Sequence, residues 1–294
     1  MRGVEIGEPG AVLFGLAAAV CWGVADYGAT VLGRRGGSFP VLLAAHFGAV
    51  VGMTLLLPIA PGDGLTSGEL IACLALGPLA VATFACLFRA LELGPLAIVS
   101  PVVSAWALVT LALALLLLGE SLGTAEAAGC GLLVGGVLLG TAGGPAEPGG
   151  ERRDRRGVAF ALAASVGLGI QNFVLGDLSE DAGWFLPLYF TRIAGVALMA
   201  AIVARTRQWP WRRLGRRDLL LAMTVPGLVA ALGSMAFNRG SEVGSVSITA
   251  AASSIYPLLA VAAGVVLLHE RLRPRQAVGL AAIFAGLLLL GVAA

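Results

Sequence analysis

Charged residues punctuate this chain at near-regular intervals, and the stretches between them are apolar. Uncharged runs cover residues 9–25, 36–62, 70–88, 93–119, 127–146, 157–176, 219–238, 243–268 and 276–294, and the run 182–204 is broken only by Arg192. An α-helix rises about 1.5 Å per residue, so about 20 apolar residues cross the hydrocarbon of a bilayer. Each run therefore predicts one membrane-spanning helix, ten in all, the first continuing past Asp26 to about Gly33. The connections are short and leave no room for a separate globular domain. The one hydrophilic linker, "GGPAEPGGERRDRR" at 143–156, divides the chain near its middle.

The two sides of that linker repeat each other. At a spacing of 146 residues "LAAAVCWGVADY" (16–27) matches "LAASVGLGIQNF" (162–173), and Met53 falls on Met199. At a spacing of 150, Glu92 falls on Glu242, Gly94 on Gly244, Glu120 on Glu270, Gly129 on Gly279 and Gly136 on Gly286. Each half, 1–142 and 157–294, holds five spans. Five is odd, so the second half enters the membrane from the opposite side. The expected fold is an all-α integral membrane protein with ten transmembrane helices arranged as two inverted five-helix repeats. Such repeats place a substrate site near the midplane between the halves and permit alternating access by rocking around it.

Composition agrees with this pattern. The 294 residues are 58% hydrophobic and 12% charged, too little charge to cover a soluble domain of this length. All 19 basic residues are arginine, and without a lysine the chain cannot build a P-loop. Cys21, Cys73, Cys86 and Cys130 lie within apolar runs, without CxxC spacing, and read as small buried hydrophobes. Residues 11–25 imitate a signal peptide, but Glu5 and Glu8 in the flank and the long apolar runs downstream favour a first membrane helix.

"LFRALELGPLAIVSPVV" (87–103) reads as a helical hairpin: Arg89 and Glu92 end the third span, Gly94-Pro95 turns, and the fourth begins near Leu96. Proline suits the first turn, where its missing N–H costs nothing. The cognate "FNRGSEVGSVSITAAAS" (237–253) builds the same hairpin again, without the Gly-Pro turn. With "LLLLGESL" (115–122), "LLHERL" (267–272), "CWG" in the first span and Pro257 thirteen residues before Glu270, the chain resembles the ten-helix EamA-type members of the drug/metabolite transporter superfamily. The resemblance implies two five-helix bundles and secondary transport, commonly export, of small metabolites or amphipathic compounds. It also implies a multi-pass place in the cell membrane, the inner membrane of a bacterium or archaeon.

Ionisable groups within spans cost roughly 2.5–3.5 kcal/mol each on insertion scales and are functional candidates by default. They are Asp26, His46 and Arg192. The repeat pairs Asp26 with Asn172 and His46 with Arg192, and inverted symmetry would set the two pairs on opposite walls of one central cavity. Trp22 lies four residues before Asp26, on the same helix face, and sets an aromatic surface beside a carboxylate. That suits a cationic or aromatic ligand, whereas the planar Arg192 suits a carboxylate. Together they suit a zwitterion such as an amino acid. The structural alternative is an Asp26–Arg192 ion pair that only locks the halves, with His46 hydrogen-bonded to a neighbouring helix.

Spans 4 and 9 add Ser100, Ser104 and Trp106 against Thr249, Ser253, Ser254 and Tyr256, of which Ser104, Ser254 and Tyr256 complete the expected site. Those hydroxyls line the cavity, or else bond the preceding turn or a neighbouring helix. Tyr256-Pro257 frees a backbone carbonyl in mid-span, tolerable where it faces protein or a wet cavity. Glu120 and Glu270 are expected to hold the 4–5 and 9–10 turns. The small-xxx-small pairs Gly131/Gly135 and Gly136/Gly140 suit close packing within the fold better than dimerisation.

The leading reading is a secondary transporter exporting a small organic metabolite, driven by proton coupling or exchange. Its competitors are a membrane enzyme acting on a lipid or isoprenoid phosphate, and a lipid flippase or scaffold. There is no HExxH, no acidic metal cluster and only two histidines, so neither a cofactor nor a metal is implied. Expected partners are the small-molecule substrate, membrane lipids and a coupling proton, with the chain a monomer or homodimer. "RTRQWPWRRLGRRD" (205–218) reads as an interfacial loop on anionic headgroups, not as a nucleic-acid patch. The family resemblance implies cytoplasmic termini. The arginines argue the reverse: connections 1–2, 5–6, 7–8 and 9–10, with Arg89, hold nearly all of them, and the opposite side only Arg2 and Arg239.

Overall fold

The structure is a computed structural model that describes residues 7–59, 64–113, 116–117, 123–141, 151–207, 214–243, 249, 252–253 and 255–293. Among these every regular element is helical. The first half comprises α1 (Gly7–Gly36), α2 (Ser38–Leu56), α3 (Ser67–Leu93), α4 (Leu96–Val103), α5 (Trp106–Leu113) and α6 (Thr124–Thr141). The second comprises α7 (Glu151–Ala182), α8 (Leu186–Thr206), α9 (Arg216–Met223), a π-helical turn (Thr224–Val229), α10 (Ala230–Val243), α11 (Tyr256–Val266) and α12 (Pro274–Ala293). Among the described residues six apolar helices are long enough to cross a membrane, and four shorter apolar ones, Leu96–Thr110, Ala127–Leu139, Tyr256–Val266 and Pro274–Leu289, lie where the other four expected spans fall. α4 and α5 are one span broken after Pro101, and α9 to α10 are one span widened around Pro226. In both, proline deletes one ladder hydrogen bond and the backbone shifts register to compensate. The helix α7 starts at Glu151, inside the stretch that its charges assign to the linker.

Local chemistry sets the helix ends. Thr66 and Glu69 form a reciprocal capping box at the start of α3: the Glu69 amide donates to Thr66 Oγ1 (3.3 Å), and the Thr66 amide to Glu69 Oε2 (2.6 Å). α3 ends where the Gly94 amide bonds the Ala90 carbonyl (2.7 Å), beside an Arg89–Glu92 ion pair of 2.7 Å. Pro95 then stands at the N-cap of α4 without a side-chain cap. Between α1 and α2 the chain reverses at Gly37, whose φ of 88° only glycine adopts without strain. The expected hairpin 237–253 passes through 244–248, which lie outside the described residues, as do Glu120 and 208–213.

The halves interlock. α1 runs chiefly along α10, α3 along α7, and α6 along α12, so each half packs across the divide instead of closing a bundle on itself. The contacts obey the repeat. A Cβ on Gly23 would lie 2.9 Å from Leu259 Cβ, and one on Gly169, its partner at a spacing of 146, would lie 2.4 Å from Val109 Cβ, the partner of Leu259 at 150. Likewise a Cβ on Gly136 would meet the Ile283 amide at 2.6 Å, and one on its partner Gly286 the Leu133 amide at 2.8 Å. In lipid there is no hydrophobic force between helices, and close backbone approach at small residues takes its place. Gly136 therefore packs within the fold as expected, whereas among the described residues nothing lies within 4 Å of a Cβ placed on Gly131 or Gly135.

One end of the molecule gathers the arginine-rich connections. Arg34 at the end of α1 pairs with Glu270 (2.9 Å) and donates to the Gly94 carbonyl (2.8 Å). Gly94 and Gly157 are near-touching backbones, and Leu214 packs on Gly36. Glu270 holds its own 9–10 turn through its backbone, where its amide donates to the Gly264 carbonyl at 3.0 Å, but its side chain has a different role. It reaches into the other half and accepts from the Leu96 and Ala97 amides, both at 2.9 Å, as the missing cap of α4.

Candidate functional site

The candidate residues fall into two clusters. The first joins α1, α4 and α11. Asp26 projects from α1, and the Ser100 hydroxyl donates to its Oδ2 at 2.7 Å. One turn on, Ser104 is hydrogen-bonded to the Tyr256 hydroxyl (2.8 Å) and to the Ser100 carbonyl (2.9 Å). Trp22 meets Tyr256 edge-on with centroids 5.6 Å apart and leans on Phe237 at 5.7 Å. Its indole lies on Gly233, where a Cβ would come within 2.9 Å of Nε1. A carboxylate thus sits at the side of an aromatic wall, in a chain of hydroxyls that crosses between the halves. Among the described residues it has no cationic partner.

The second cluster joins α2, α3 and α8 around Phe84. The Arg192 guanidinium stacks on that ring, 4.5 Å from its centroid, and the His46 ring meets it edge-on at 5.2 Å. His46 Nδ1 faces the Leu42 carbonyl at 3.1 Å, one turn back on its own helix. That carbonyl can only accept, so Nδ1 carries the hydrogen. Among the described residues His46 Nε2, Thr83 Oγ1 and Gln171 Oε1 are buried with no hydrogen-bonding partner.

Several expectations need correction. The lock between the halves is not an Asp26–Arg192 ion pair: among the described residues neither takes part in one, and the inter-half pair is Arg34–Glu270. His46 bonds its own helix, not a neighbour. Asp26 and Arg192 stand on different helix sets. Asn172 is half-buried, while its neighbour Gln171 is the buried one, at 4% exposure. Ser254 lies outside the described residues. Sequence reasoning passed over Phe84, Thr83 and Gln171. Gln171 carried a signal, being an uncharged polar residue in an apolar run, but Phe84 carried none. A cleft lined by Ser38, Leu42, Ala85, Arg89 and Phe160 opens at the arginine-rich end between α2, α3 and α7, away from Asp26.

Two interlocked helical halves related by a repeat are an architecture that many transporters share, and comparison with known families bears on this chain directly. The model of the EamA-like transporter family matches residues 9–141 and again 155–292, one copy on each half. The chain belongs to the EamA-like transporter family. It is therefore a multi-pass membrane transporter of the drug/metabolite type. Comparison with curated proteins gives no match. A solved crystal structure is similar in fold, with a TM-score of 0.65 over 97% of this chain and 99% of the other, at 21% identity. At that identity the likeness concerns the fold alone.

Proposed function

We propose that this EamA-like transporter is a secondary active exporter of a small organic metabolite, such as an amino acid or an amphipathic compound. It works by alternating access around the midplane, with Trp22, Asp26, His46, Asn172, Arg192, Ser104, Ser254 and Tyr256 as its binding and coupling residues. One observation carries this reading: Asp26 and Arg192 lie within spans and, among the described residues, neither has a partner of opposite charge. Charges placed at that depth without a mate are suited to a substrate or a coupling ion. Asp26 is the coupling group, since Ser100 and the aromatic wall hold its carboxylate while leaving it free to gain or lose a proton. The competing enzyme reading has no observation in its favour, as no three His, Cys, Asp or Glu side chains gather among the described residues.

The experiment is counterflow in proteoliposomes preloaded with a broad metabolite extract, with and without an imposed pH gradient. Saturable movement of at least one species, enhanced by the gradient, is the expected result. Movement indistinguishable from protein-free vesicles for every species overturns the reading.

A further inference from the structure

Arg192 is 6% exposed, and among the described residues neither a carboxylate nor a hydrogen-bond acceptor meets its guanidinium, only the face of Phe84. An arginine placed there for structure is ordinarily met by an acid or by backbone carbonyls, because an uncompensated buried charge weighs against the fold. Its surroundings are unfinished in the opposite sense. With the His46 hydrogen on Nδ1, the lone pair of the neutral ring is on Nε2, buried and unused. Gln171 Oε1 is a second unused acceptor. His46 and Arg192 both meet the ring of Phe84, and Gln171 lies about one helical turn from the Thr83 beside it. A Cβ on Gly195, three residues past Arg192, would lie 3.3 Å from Val81 and 3.8 Å from His46 Cδ2. Gln171 is one turn beyond Gly167, whose Cβ position is filled by Thr83, the neighbour of Phe84. The region thus offers a planar cation with free donors, a free acceptor on His46 and an aromatic floor, with the Gln171 acceptor about one turn away.

We propose that this cluster is the seat of the substrate's head group: a carboxylate on Arg192, with an N–H or O–H on the adjacent carbon given to His46 Nε2. The ligand class is the 2-amino or 2-hydroxy carboxylates. This rests on the transport reading above and deepens it, because both poles of the head group go to the Arg192 cluster. It replaces the division between Asp26 and Arg192 that residue types alone suggest, and leaves Asp26 for coupling. The guanidinium matches a carboxylate in a two-pronged geometry that a lysine ammonium does not offer.

The test is ligand-induced thermal stabilisation of the purified full chain in detergent. The probes are phenylalanine and leucine, their 2-hydroxy acid counterparts, the plain carboxylates of each skeleton, and the two amino acid amides. Amino and hydroxy acids should stabilise most, plain carboxylates less and the amides least. Arg192→Gln should lower carboxylate affinity at least about tenfold, because it removes the charge that the carboxylate meets. Arg192→Lys should keep the order of preference at reduced affinity, which separates charge recognition from misfolding. His46→Phe should bring the 2-substituted acids down to the plain carboxylates while keeping acid over amide. Amides binding as well as acids, an unchanged order in Arg192→Gln, or no stabilisation of the native protein at millimolar probe overturns the proposal. Binding is read without flux, so a correct order with no counterflow keeps the head-group seat and fails the transport reading. Counterflow with an unchanged order in Arg192→Gln does the reverse.

Discussion

Removing the Glu270 carboxylate should unfasten the arginine-rich end of the molecule. Glu270 Oε1 accepts from the Leu96 amide and Arg34 Nη2, and Oε2 from the Ala97 amide, all at 2.9 Å. It supplies from the second half what Pro95 cannot supply locally, namely an acceptor for the first-turn amides of α4. Loss of an N-cap costs about 0.5–2 kcal/mol, and a hydrogen bond to a charged group contributes about 1.5–3 kcal/mol. The Glu270 side chain is only 10% exposed, so water does not easily replace it, whereas Arg34 at 32% rehydrates and lowers the second figure. Glu270→Ala should therefore lose about 2–4 kcal/mol. Glu270→Gln keeps one acceptor oxygen, turns its amide group toward a donor, and should lose about half as much. Arg34→Ala, which breaks only the more exposed arm, should lose about 1 kcal/mol. The assay is equilibrium unfolding of all three variants and of the double mutant in one detergent, with the cycle giving a coupling of about 1 kcal/mol. Glu270→Ala within about 0.5 kcal/mol of the native protein, with no coupling to Arg34, refutes the cap.

Gly136→Leu should destabilise by about 1–3 kcal/mol by forcing α6 from α12, while Gly131→Leu and Gly135→Leu should be near neutral because no described residue lies within 4 Å of a Cβ at either position; thermal unfolding ranks the three, and equal losses would break the distinction. Asp26→Asn retains an acceptor for Ser100 but cannot exchange a proton, so the protein should stay folded while counterflow loses its dependence on the pH gradient. Unaltered pH dependence would pass coupling to His46 or to substrate exchange. The turns around Arg34, Arg89 and Glu270 meet at one end, and arginine is retained on the cytoplasmic side. A C-terminal alkaline phosphatase fusion should therefore be active and a green fluorescent protein fusion dark. A fluorescent fusion reverses the orientation.

The ten spans, their division into inverted halves and the family itself were legible in the chain, because run length against bilayer thickness and a repeat at two spacings are one-dimensional signals. That Asp26, His46 and Arg192 fall inside helices was legible for the same reason. What could not be read was which helices stand beside each other. That arrangement is set by glycine contacts between the halves, Gly23 on Leu259 and Gly169 on Val109 among them, and a glycine does not announce its partner. It decided that Asp26 meets Ser100, that Arg192 and His46 meet through Phe84, and that the Glu270 carboxylate caps α4 in the other half. Phe84 is the clearest case. In the sequence it is one apolar residue in an apolar run, and only the packing of α2 and α8 against α3 makes it the floor beneath an arginine. Sequence sets how deep a side chain lies in a membrane helix, but lateral neighbours follow from helix rotation and packing, which depend on shape in three dimensions.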